Sequence, residues 1–429
     1  MRSTERRRTG RKRTGVLVVL SAAVGGVVGV TVLLGVAKFS ASPAVFVTAG
    51  LLALLAVNAA GTWWATRRRT RRGRRQVVTI SAAVVALCYL VATLVPMNGS
   101  VSSPAPVAGQ RTVALPTGSH LTYVRIPARG TPRPTPVIFV HGGPGTPDLR
   151  GDSRYFGQLA AAGFDVVVYD QFGSAGSGRA ASPEAYTMDR AVADLDALRR
   201  HLGADKVDLI GHSYGGRLAA TYLSRHPGHV ARAVFSSPSD LDPKAGGDST
   251  LPVLTGRQRV ATISALARPR VLLAYNLLQV NPDAAHNLVG DAEMDGDFEA
   301  VYDKSRPALH CPGQDPGPAL RGLGFYSNQY SQSPVRANTV DPRPALARTT
   351  VPTLVVKGSC DYLSWSSATG YLESIPHSEL YYLKGAGHNA YQDRPGEYLA
   401  EVRAFLTGRA LPAAPYRGTA LPHDYRVRP

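Results

Sequence analysis

The stretch "LIGHSYGG", residues 209–216, decides the fold. An apolar run, "KVDLIG", stops at a serine set between Gly211 and Gly215, and a helical pattern, "RLAATYLSRH", follows until Pro227 ends it. Such a serine is either a polar turn or a nucleophile on a strained strand-to-helix elbow, where flanking side chains would collide with neighbouring backbone. A serine hydroxyl is a poor nucleophile until a base takes its proton. The remaining chain is therefore read for a base, an acid to orient it, and donors for an oxyanion.

The acid and the base stand in the order that this elbow requires, serine first and histidine last. "TLVVKGSCD" (353–361) ends a strand in a glycine loop that carries Asp361, and "YYLKGAGH" (381–388) ends the next in a loop that carries His388. Asp170 and Asp393 are competing acids at less suitable positions. "FVHGGPG" (139–145) follows another strand. Its glycines expose backbone N–H groups of the kind that stabilise an oxyanion by about 3–4 kcal/mol per donor. The expected donors are Gly143, with Gly142 as the alternative, and Tyr214, the residue after the serine. His141 is expected to pack beneath the loop. His212, although adjacent to Ser213, is aimed away from its hydroxyl by the geometry of an elbow.

Around these loops, short β-branched runs ("PVIFV", "FDVVVYD", "VARAVFSS") alternate with helical patterns such as "MDRAVADLDALRRHLG". This alternation predicts an α/β architecture, a mostly parallel sheet with helices on both faces. It spans 111–240 and 346–408 and is interrupted at 241–345, a partly helical, proline-broken stretch placed where a cap or lid would sit. Residues 409–429 form a C-terminal tail.

The chain has 429 residues and a net charge of +18, which invites a nucleic-acid reading. The charge is concentrated at the start, where residues 1–76 hold fifteen Lys/Arg against Glu5 alone. The arginine blocks "RSTERRRTGRKR" and "RRRTRRGRR" (67–75) flank uncharged apolar runs at about 16–37, 44–65 and 77–97. Each run is long enough to cross a bilayer, which needs roughly 20 residues. A nucleic-acid face would instead be spread over a folded domain, so no nucleic-acid partner is expected and a lipid bilayer is. The first run is too long for a signal peptide and two more follow it. Arginine placement puts the N-terminus and the 67–75 loop in the cytoplasm and everything after Met97 outside. Trp63 and Trp64 suit an interfacial anchor, and Gly25 and Gly29 form a GxxxG that would let helices approach. Residues 98–110, Ser/Pro/Gly/Ala-rich, read as a linker.

The ordered set "HGGPG", "YDQFGSAGSG" (169–178), "GHSYGG", "GSCD" and "GAGH" resembles the α/β-hydrolases, and most closely their proline iminopeptidase branch, over about residues 111–408. The resemblance implies an α/β-hydrolase fold with a mainly helical cap, here preceded by three transmembrane helices. It also implies an aminopeptidase that releases N-terminal residues. Caps in that family commonly hold the substrate amine with carboxylates, which makes Glu293, Asp297 and Glu299 candidates beside the plainer reading of a solvated acidic lid face. Two departures leave side-chain specificity open. The family's Asp-Gln-Arg-Gly is Asp170-Gln171-Phe172-Gly173 here, and the usual Trp after the serine is Tyr214.

Cys88 lies within the third apolar run, whereas Cys311 and Cys360 fall in the outward part, where an oxidising compartment would permit a bridge; two buried thiols are the alternative. No metal-ligand cluster is visible in the sequence, and the chemistry needs no cofactor. Three functions are compatible with this pattern: a membrane-anchored serine aminopeptidase, an esterase or lipase-like hydrolase with the same triad acting on a small amide or ester, and a non-catalytic membrane binding protein. Epoxide hydrolase or dehalogenase chemistry is disfavoured, because it uses a carboxylate where this chain has serine.

Overall fold

A computed structural model of the chain describes residues 2–96, 104–245, 248–332 and 340–426, with side chains from residue 12 onward. The expected end of the third span at Met97, the first part of the linker and the last three residues of the tail lie outside the described residues. The chain divides into two compact units, one of residues 1–99 and 266–294 and the other of 100–265 and 295–429.

The larger unit is built on one eight-stranded sheet. Its strands are β1 (Gln110–Ala114), β2 (His120–Ile126), β3 (Val137–Val140), β4 (Val166–Asp170), β5 (Val207–His212), β6 (Val230–Ser236), β7 (Thr353–Gly358) and β8 (Ser378–Leu383). Their spatial order is β1-β2-β4-β3-β5-β6-β7-β8. β1, β2 and β4 pair antiparallel, and all pairings from β4 to β8 are parallel. Parallel strands need crossovers, and the helices that supply them cover both faces.

Alternation along each strand sends neighbouring side chains to opposite faces. Ile138 and Val140 join one core with Val192, Leu195, Leu198 and Leu218. Those four come from helices Met188–His201 and Tyr214–Arg225. Val137 and Phe139 join the other core with Phe156, Tyr398 and Val402, from helices Leu149–Phe156 and Pro395–Thr407. On that second face the Phe139 and Phe156 rings stack at 4.0 Å, a pair worth about 0.5–1.5 kcal/mol beyond its buried area.

The smaller unit contains three helices long and apolar enough to cross a membrane, Lys12–Ala37, Pro43–Ala65 and Arg71–Leu94. The third begins earlier than its apolar run, because Thr70 caps it by accepting from Gly73 N at 3.2 Å and the arginines that follow are good helix formers. It ends at Leu94 because Val95, preceding Pro96, is extended. Gly29 lets the first two helices approach: a Cβ there would lie 2.9 Å from Gly50 O. Arg67 and Arg74 stack on Trp64 and Trp63 at 4.3 and 3.9 Å.

Two helices of the insertion, Pro269–Val280 and Pro282–Leu288, belong to this smaller unit. Asn281 Nδ2 donates to Ala37 O at 2.8 Å and Asn287 Nδ2 to Ala41 O at 3.1 Å. The buried Arg270 donates to Thr93 O, to Leu288 O at 2.9 Å and to both carboxylate oxygens of Glu293.

Candidate active site

β5 ends at His212 and the next helix begins at Tyr214, leaving Ser213 alone in the turn at φ 55° and ψ −121°. This sparsely populated conformation costs a non-glycine residue free energy and persists only where its surroundings enforce it. Those surroundings demand glycine on either side. A Cβ on Gly211 would lie 2.3 Å from Gly215 O, and one on Gly215 would lie 2.1 Å from Val140 O. Ser213 N donates to Ser236 O at 3.0 Å, which ties the turn to β6.

His388 and Asp361 follow β8 and β7, at the same C-terminal edge of the parallel sheet as Ser213. His388 Nδ1 lies 2.8 Å from Asp361 Oδ1, with both groups buried. Leu363 N donates to that same oxygen at 3.1 Å, and the Lys357 ammonium lies 2.8 Å from the other one, Oδ2. Burial by itself would raise the Asp361 pKa, but Lys357 and His388 together hold it well below the usual carboxylate range. The competing acids are occupied elsewhere. Asp393 accepts from Gly387 N and Cys311 N and pairs with His310 at 2.6 Å. Asp170 accepts from Gly176 N, and burial pushes its pKa up to about 7.

Gly142 and Gly143 lie against the serine turn. A Cβ on Gly142 would be 2.9 Å from Ser213 Cβ, and Gly143 has φ 111°, which glycine alone adopts freely. Tyr214 is the first residue of its helix, so its N–H has no partner within that helix. His141 is buried under this loop, with Nδ1 2.7 Å from Gly142 O and Nε2 accepting from Gln171 N at 2.9 Å. Burial pushes its pKa down to about 4 and that of His212 down to about 3, so neither is charged near neutrality. The His212 ring sits 4.9 Å from that of His388.

The cap carboxylates are largely committed. Glu293 is held by Arg270, and Glu299 accepts from Gly322 N at 2.6 Å with Arg321 3.7 Å away. Asp297 is buried. Asp295, between them, pairs with Arg179 at 2.9 Å and accepts from Phe325 N. Phe172 and Tyr214, the two departures from the iminopeptidase pattern, line one cavity with Tyr169, Gln171, Tyr186 and Ser327; Ser213 is not part of that lining.

Three features brace the acid and base loops, the first of which, a Cys311–Cys360 bridge, is one of the two readings the sequence leaves open. Cys311 and Cys360 are joined in a disulfide, with Cα atoms 5.2 Å apart, one residue from Asp361. The segment at 309–311 is also bound to the histidine loop through Asn389 N to Leu309 O at 2.9 Å. The tail is a brace: Tyr425 donates to Leu363 O at 2.5 Å, and Arg426 N donates to Ser359 O at 2.9 Å. Lys357 is the third.

Residues 135–257 match the family model described as alpha/beta hydrolase fold. A proline iminopeptidase of Levilactobacillus brevis is 27% identical over 312 residues, covering 68% of this chain and 95% of that protein. The proline iminopeptidase of Saccharolobus solfataricus is 25% identical over 309 residues, covering 67% and 89%. Among solved structures, the Mycobacterium smegmatis proline iminopeptidase aligns with a TM-score of 0.44 and 20% identity, covering 70% of this chain and 98% of that one. The chain has the α/β-hydrolase fold and is a hydrolase enzyme. Within that class it is similar to the proline iminopeptidases.

Proposed function

We propose that this chain is a membrane-anchored serine hydrolase acting through an acyl-enzyme, an aminopeptidase of proline iminopeptidase type that releases N-terminal residues from peptides. The observation that carries the reading is the buried 2.8 Å contact of His388 with Asp361, at the sheet edge where Ser213 occupies a strained turn. Ser213 Oγ attacks the acyl carbon while His388 Nε2 takes its proton, and the carbonyl oxygen becomes an oxyanion held by the N–H groups of Gly143 and Tyr214. Collapse expels the amine, which receives the proton from His388. Water then attacks the acyl-serine with His388 again as base, releasing the carboxylic acid and restoring the hydroxyl. Asp361 holds the imidazole tautomer and stabilises the imidazolium. The three apolar helices cross the bilayer with the arginine blocks inside, leaving the catalytic unit outside the cytoplasm.

A second reading, a carboxylic ester hydrolase with the same triad, is favoured by the cap carboxylates. Glu293, Asp295 and Glu299 already hold arginines or backbone N–H groups, so a substrate ammonium would compete for them. A panel of prolyl and alanyl arylamides, their N-acetylated forms and short-chain esters separates the two readings. The aminopeptidase cleaves the free amines and fails on the blocked ones; equal rates on both would overturn it in favour of the esterase. Labelling by a fluorophosphonate, lost in Ser213→Ala, excludes a non-catalytic binding protein.

A further inference from the structure

Lys357 is a lysine in a strand whose every residue is buried, and its side chain has no solvent exposure at all. A buried ammonium is costly unless paired and hydrogen-bonded, so its surroundings have to account for it. The ammonium lies 2.8 Å from Asp361 Oδ2 as an ion pair and donates to Leu363 O at 3.2 Å and to Ser367 Oγ at 3.0 Å. Two hydrogen bonds and one opposite charge therefore surround it. The Leu363 carbonyl and the Ser367 hydroxyl also fix where the charge sits, so the lysine cannot follow Asp361 if the carboxylate turns.

The two oxygens of Asp361 are thereby divided. Oδ2 faces Lys357, and Oδ1 faces His388 Nδ1 and Leu363 N. Rotation of the carboxylate would break three contacts together. The charges matter as much as the geometry. With His388 neutral, lysine and aspartate cancel; once His388 takes a proton, the trio carries a net positive charge inside the protein. The other groups facing the trio leave this balance intact. His212, from the end of β5, is held neutral by burial. Tyr362 lies with its ring 4.7 Å from that of His388, and Tyr425 presents its hydroxyl 3.4 Å from Asp361 O; burial raises the pKa of both phenols. Asp248, which faces Lys357 at longer range, accepts from Ser364 N at 2.7 Å.

We propose that Lys357 is a positioning residue for the serine-hydrolase reaction, pinning Asp361 so that Oδ1 faces His388. The proposal rests on the triad reading above. In the full-length chain in detergent, Lys357→Met and Lys357→Gln remove the charge, the second keeping a hydrogen-bond donor. A cooperative melting transition first establishes that each protein is folded. Expected is a fall in kcat of about tenfold in Lys357→Met, smaller in Lys357→Gln, which keeps a donor, with KM little changed in both. Ser367→Ala, which loosens packing but keeps the charge, is expected to lower the melting midpoint with kcat little changed. An unchanged kcat in folded Met and Gln variants would overturn the proposal. So would failure of both variants to fold, since the lysine would then be required for folding alone. A wild-type chain that takes no fluorophosphonate label and turns over no substrate would refute the triad reading itself, a result distinct from either.

Discussion

Replacing Cys311 and Cys360 together by serine should reduce both stability and turnover. The bridge closes a loop of 49 residues, for which the chain-entropy relation gives about 4 kcal/mol. Spread over the roughly 300 residues of the catalytic unit, that corresponds to a fall of about 6 °C in melting midpoint. The effect on turnover comes from what the bridge joins. Cys360 precedes Asp361, and its N–H donates to Ala386 O at 2.8 Å in the histidine loop; Cys311 N and Gly387 N share the Asp393 carboxylate. Without the covalent link these hydrogen bonds remain, so the loops loosen without separating. A misalignment worth about 1.4 kcal/mol in the transition state is tenfold in rate, and a fall in kcat of about that size is expected, with a smaller change in KM. The assay uses full-length protein in detergent, as wild type with and without a phosphine reductant and as the double serine variant, with turnover measured well below both midpoints. If alkylation proves the bridge reduced while midpoint and kcat stay unchanged, the argument that this segment holds the two loops together fails.

His388→Ala should abolish turnover while His212→Ala retains substantial activity, since only His388 contacts the buried acid; comparable losses in a steady-state assay would contradict the assignment. Gly142→Ala places a methyl 2.9 Å from Ser213 Cβ and should lower kcat by about 10²-fold, the effect of a spoiled oxyanion donor. Slow fluorophosphonate labelling of a protein with a normal melting midpoint is its signature, and normal labelling would show that the loop yields.

The features legible in the sequence are those whose chemistry is local. Ser213, Asp361 and His388 each lie in a glycine loop directly after a strand, so the residues that shape the backbone stand beside the residue that uses it. The alternation that predicts the sheet is local too, since Val137 to Val140 divide between the two cores by strand periodicity alone. Lys357 was not legible, because a lysine near a strand end is ordinarily solvated and only the folded position of Ser367 and Leu363 makes it a buried partner of Asp361. Tyr425 escaped for the same reason. It lies 64 residues from Asp361 in a tail without periodic pattern, and its contact depends on how that tail crosses β8 at Leu380. The acidic run 291–303 misled in the opposite direction. Composition suggested free carboxylates, but arginines distant in sequence, Arg179 and Arg270, occupy two of them.

The helices Pro269–Val280 and Pro282–Leu288 occupy one particular end of the bundle of apolar helices. A helix leaves its last carbonyls without intrahelical partners, and within a bilayer nothing else would satisfy them. Asn281 supplies a donor to Ala37 O, at the end of the first apolar helix, Asn287 one to Ala41 O in the short loop after it, and Arg270 one to Thr93 O near the end of the third. All three acceptors lie at the end of the bundle opposite the Arg67–Arg75 block. That is the end the positive-inside rule assigns to the outside. Hydrogen bonding thus fixes which end of the bundle these two helices occupy, and the proposed orientation of that end rests on the arginine distribution.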